Sequence, residues 1–189
     1  MNKMKSVVFT LITLVGTYLA SYAQDTQTDN HNVTVTVPTV TLLDLETTLT
    51  KDFSMNILPP APLEAGNKTI NAGQNQTTWL NYTSVAGAGI TRKVMMSANV
   101  NPPGGIDFSV EADVDAGAGA GTPGTPFASS LEPLPAPTAI ITGIGSCYTG
   151  TGPLKGHKLI YRATVSTASF GLLRAGSFPV IVTYTLMDM

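Results

Sequence analysis

The chain has 189 residues, 12% of them charged and 43% hydrophobic, with a formal net charge of −2. That balance leaves no basic surface for nucleic acid or an anionic membrane, so neither is expected as a partner. A single cysteine, Cys147, excludes an intrachain disulfide, and two histidines, His31 and His157, are too few for a zinc site of ordinary composition.

The first element is an export signal over 1–23. Lys3 and Lys5 form a positive start, residues 7–20 are mostly apolar, and Ser21 and Ala23 are the small residues that precede cleavage before Gln24. The apolar run is short and broken by threonine, which fits a signal better than a membrane span. No second apolar run of span length follows, so no integral membrane segment is expected in the mature chain. The expected location is outside the cytoplasm: a surface fibre, the periplasm or the extracellular space.

Residues 24–37 form an N-terminal extension that carries a candidate strand at 32–37, with sequence NVTVTV. Val33, Val35 and Val37 alternate with threonine and so share one face of an extended strand. Residues 38–189 have a length suited to one domain. Period-two alternation predicts further strands at 40–45, 77–82, 90–100, 106–114, 139–144, 158–165 and 178–187. In 90–100 the residues Ile90, Arg92, Val94, Met96, Ala98 and Val100 share a face. In 106–114 the inward set is Ile106, Phe108, Val110, Ala112 and Val114. The segment NPPGG at 101–105 reads as a hairpin-like link between those two strands. The Gly/Ala/Pro-rich stretch 115–137 holds few large apolar residues and reads as a mobile surface loop. The fold class expected is all-β: an antiparallel β-sandwich of about seven or eight strands, of Greek-key type.

Candidate chemistry is sparse, and no catalytic residue, metal site or cofactor is expected. His157 reads as an exposed turn histidine and Cys147 as a buried thiol. Glu111, Asp113 and Asp115 alternate before a glycine, a pattern that suits a solvated strand face better than a calcium loop lacking its other ligands. Trp79 reads as the central core aromatic, and Tyr82, three positions on, should face the other way. The sequons at Asn32, Asn67, Asn75 and Asn81 are read as threonine-rich composition, because the Ala-Gln cleavage site looks bacterial.

The run NVTVTV at 32–37 with PTVTLLD at 38–44 resembles the mature N-terminus of alpha-type chaperone–usher fimbrial subunits, the group of colonisation-factor pilins. The closing stretch AGSFPVIVTY at 175–184 is similar to the last strand of pilin-like bacterial sandwich domains. The resemblance implies an immunoglobulin-like sandwich completed by a neighbour's N-terminal strand. It also implies like subunits in a polymer as partners, with a periplasmic chaperone and an outer-membrane usher. Val33, Val35 and Val37 would then be the donor residues that fill a neighbour's groove. The alternative is a self-contained secreted or cell-envelope β-sandwich binding module whose first strand pairs within its own sheet.

Overall fold

The computed structural model describes residues 27–68 and 73–189; the export signal expected over 1–23 lies outside them. The chain divides into two units, 1–37 and 38–189. In the first, the described residues form no strand. The second holds β1 (Val40–Thr47), β2 (Asn75–Val85), β3 (Arg92–Ala98), β4 (Ile106–Asp115) and β5 (Ala120–Gly121), followed by β6 (Thr125–Pro126), β7 (Thr138–Ile144), β8 (Cys147–Tyr148), β9 (His157–Val165) and β10 (Val182–Asp188). No α-helix occurs among the described residues, and a 3₁₀ turn at Phe170–Leu172 is the one helical piece. None is long and apolar enough to cross a membrane.

The strands build a β-sandwich from two antiparallel sheets. One has six strands in the order β4-β9-β2-β8-β5, with β1 on the other side of β2; the other runs β10-β3-β7-β6. Alternation in the sequence explains which faces meet. β9 buries every second residue, with Leu159, Tyr161, Ala163 and Val165 inward. β3 does the same with Arg92, Val94, Met96 and Ala98. Leu80, Met96, Val110, Ile141 and Leu159 from both sheets form the centre of one core, each shielded from water.

Three sequence expectations are corrected here. The 101–105 segment is not a hairpin: β3 lies in one sheet and β4 in the other, so the connection crosses the sandwich. Gly105 makes that crossing possible, since at φ 83° its Cα sits where a Cβ would stand 2.8 Å from the Leu173 nitrogen. Val114 is exposed, because a bulge between Ala112 and Asp115 adds one residue to β4 and reverses the alternation. The last strand starts at Val182 instead of Phe178, leaving Pro179 and the exposed Phe178 and Ile181 ahead of it.

The 115–137 stretch, expected as a mobile loop, is tied to both sheets at several points. β5 pairs β8 in the six-stranded sheet, and β6 pairs β7 in the four-stranded one. Between them Thr122 and Gly145 continue the ladder, with Thr122 N–H donating to the Ser146 carbonyl at 3.2 Å and Gly145 N–H to the Thr122 carbonyl at 2.9 Å. A two-stranded ribbon therefore bends over the rim and passes from sheet to sheet as a unit. Further along, Leu131 exchanges two 2.8 Å backbone bonds with Val110 on β4, and the Leu134 carbonyl accepts from Ala98 at 2.8 Å.

Candidate functional site

The opposite rim is finished differently. β1 ends the six-stranded sheet and β10 ends the four-stranded one, and among the described residues neither pairs on its outer side. Each edge therefore presents a row of backbone donors and acceptors that can take another strand. Inward from these edges sit Tyr184 and Leu186 of β10, both buried. Leu43 and Leu45 of β1, Phe53, Met55 and Val182 pack against the same core while only partly covered. Phe53 meets Tyr161 edge-on, with ring centres 5.0 Å apart, and the Tyr161 and Tyr184 hydroxyls are 3.0 Å apart. Burial pushes the Tyr161 phenol up to about 12 and raises Tyr184 well above its ordinary range.

Arg92 holds the two edges together at one end. Its buried side chain reaches from β3 to both, with Nε donating to Asp188 on β10 at 2.8 Å. Nη1 donates to the Val40 carbonyl on β1 and, at 3.1 Å, to the buried Ser84 hydroxyl. An arginine serves here because its planar fork can bind several acceptors in different directions at once.

The proposed donor residues Val33, Val35 and Val37 are 72%, 82% and 71% exposed, and the segment 32–37 forms no strand among the described residues. Burying one face of these alternating valines would remove a continuous apolar stripe from water.

Other singled-out residues do not converge on a catalytic arrangement. His157, expected on an exposed turn, is fully buried: it opens β9, and its ring stacks near Tyr82 with centres 5.6 Å apart. The Cys147 thiol is buried, and burial, then the nearby Asp115 carboxylate, push it up, which lowers its thiolate fraction. Glu111 pairs with Arg162 at 2.6 Å, while Asp113 and Asp115 accept from the Val114 and Gly117 amides. Trp79 is not in the central core: Leu80 and Tyr82 point inward from β2, so Trp79 lies on the outer face. There it borders an open hollow of about 340 Å³ with Asp113, Val114, Asp115, Leu154 and Lys158. Tyr148 is exposed and Tyr161 buried.

Sequence reasoning missed the staple at Arg92. Its one signal was a charge placed on the apolar face of an otherwise alternating strand, where an arginine needs buried acceptors. No family model matches this chain, no curated protein is similar to it, and no solved structure matches it.

Proposed function

We propose that this protein is an exported pilin-like structural subunit of a bacterial surface fibre, assembling by β-strand addition. The reading is supported by two features seen together: among the described residues the valine-alternating segment 32–37 forms no strand, and β1 and β10 have no partner on their outer sides. In the assembled fibre the segment of one copy lies along an open edge of the next, its backbone completing a ladder and its valines covering the half-exposed flank residues. Each valine so buried contributes about 1.5–3 kcal/mol, so three supply the apolar part of a durable contact. An immunoglobulin-like arrangement, a periplasmic chaperone to shield the edge during export, and an outer-membrane usher belong to the same reading.

The test compares the purified protein with and without residues 24–37 by size. The intact chain should form polymers, and the shortened one should stay monomeric while keeping its fold by circular dichroism. A monomer in both cases would instead favour a self-contained secreted or cell-envelope binding module.

A further inference from the structure

After β1 the chain turns through 48–52 and then passes over the core. In the stretch that follows, Phe53, Met55 and Ile57 are half-buried while Ser54 and Asn56 between them are exposed, the alternation of an extended chain lying on an apolar surface. Phe53 and Met55 pack against the core. Phe53 stands edge-on to Tyr161, whose hydroxyl is 3.0 Å from that of Tyr184 on β10. Yet 53–57 belongs to no strand, and among the described residues it makes no backbone hydrogen bond. A bridge follows only at Leu58. The segment covers the core as a strand would, without a strand's ladder.

Both flanks allow the segment to leave. The turn ahead of it is closed by its own side chains, with the Leu49 amide donating to the Thr47 hydroxyl at 3.1 Å and the Thr50 hydroxyl donating to the Asp52 carbonyl at 2.7 Å. Behind it come Pro59, Pro60 and Pro62, which have no N–H to add to a ladder. Chain fixed by half-covered side chains, with its backbone left to water, belongs to the part of a fold that opens first. Its inward residues also have the spacing of the valine segment: every second residue over 53–57, and every second residue over 33–37. The two differ in what their backbones favour. Five of the six residues in 32–37 are β-branched and suit a pleated ladder, whereas Ser54 and Asn56 draw backbone bonds toward turns.

We propose that 53–57 is a resident plug over the acceptor groove, and that the valine segment of a second copy displaces it, with Val33, Val35 and Val37 occupying the surface now held by Phe53, Met55 and Ile57. This rests on the strand-addition reading and adds where the strand goes: beside β10, whose outer side has no partner among the described residues and can take the incoming backbone. The valines are smaller than the side chains they replace, so the exchange gives up apolar contact and gains backbone hydrogen bonds. The plug keeps the core of a free subunit covered until another copy arrives.

The experiment uses the purified protein carrying Val35→Asp, so that its own segment does not compete, and a synthetic peptide of residues 27–37 as the donor. Binding is measured by fluorescence anisotropy of a dye on the peptide. In parallel, carbon-13 NMR follows the Met55 methyl group, whose signal is assigned with Met55→Leu. Bound peptide should move that methyl to the position of a water-exposed methionine. In a Met55→Cys version, alkylation at position 55, located by peptide mapping, should quicken about tenfold when the peptide binds, as the plug opens. A peptide carrying Val35→Asp should do neither. A peptide that binds while the Met55 signal stays in place would overturn the plug and leave strand addition standing. A peptide that does not bind the folded protein at all would remove strand addition and the plug together. The methyl readout is taken on an unaltered plug, so it decides the matter even where Met55→Cys fails to fold.

Discussion

The two rims of this sandwich solve the same problem in opposite ways. On one side the β5–β6 and β7–β8 ribbon passes from one sheet to the other with its own ladder continued through Thr122 and Gly145. On the other, β1 and β10 have no outer partner among the described residues and are joined at one end by the Arg92 side chain. An open edge is a hazard that a self-sufficient domain normally covers. Among the described residues this chain carries a ribbon from sheet to sheet at one rim and leaves β1 and β10 without an outer partner at the other, above half-covered leucines.

The comparison breaks most violently at the closed rim. Gly121 has φ 93°, and a Cβ there would collide with the Ser146 carbonyl and stand 2.8 Å from the Cys147 Cα. Gly121→Val should therefore cost more than about 3 kcal/mol, combining left-handed strain in a β-branched residue with overpacking. Urea unfolding measures this, and a midpoint unchanged from wild type would show that the rim is not needed for the fold.

Alkaline pH tests the open rim next. Tyr161 is raised from 10.0 to about 12, so in that interval the folded state binds a proton that the unfolded state has released. Stability from this phenol is intact below about pH 10 and falls as pH climbs toward 12, by a few kcal/mol at most. Tyr161→Phe should flatten that part of the stability curve, which chemical denaturation at successive pH values would show. Tyr184, on the open edge and raised further, adds to the same trend.

How much of this was legible in advance depended on whether a residue's role is local. Alternation in 90–100 marked the inward face of β3 from Arg92 to Ala98, while Ile90 and Val100 at its ends are exposed, because a pleated strand sorts its side chains only where it is paired. It failed at Val114, where a one-residue bulge reversed the faces, and at 101–105, where a Pro/Gly turn signature cannot say whether the next strand stays in the same sheet. The glycines of 117–121 looked like slack. They are required because backbone passes against backbone at the bend, so Gly119 and Gly121 leave no room for a side chain. His157 and Arg92 were illegible for a related reason: a polar residue on an inward face signals burial, while its partners at Asp113, Tyr82, Val40 and Asp188 come from distant parts of the chain. The alternation at 32–37 is plain in the sequence, yet the strand expected there is not formed among the described residues.

Removing the staple should produce an intermediate effect. Arg92→Met keeps the volume but leaves the Val40 carbonyl and Ser84 hydroxyl without their donor. Asp188 is 66% exposed, so its share is screened by water and most of the loss comes from the two buried contacts. The expected cost is about 2 kcal/mol. Hydrogen exchange should quicken along β1 and β10 and stay unchanged at Thr122 and Gly145, and equal quickening at both rims would erase the distinction drawn between them.

The smallest effect on the isolated monomer is expected from Val35→Asp. Val35 is 82% exposed and touches no ladder, so the substitution should shift the melting free energy by less than about 0.5 kcal/mol. In an assembled fibre the same carboxylate would be driven into an apolar flank, where an unpaired ionised group costs several kcal/mol or must take up a proton. The variant should thus be folded, export-competent and unable to donate its strand. Its own edges at β1 and β10 are untouched, so it should still accept the segment of a wild-type copy. Mixed with wild type, it should cap growing polymers at one end and shorten them in proportion to its share, which light scattering or electron microscopy can count. Equal polymer lengths with and without the variant would remove the valine segment from assembly. A large drop in monomer stability would place the segment inside its own sheet and turn the reading toward a self-contained module. Normal stability with lost polymerisation ties the bare rim of one copy to the unpartnered valines of the next.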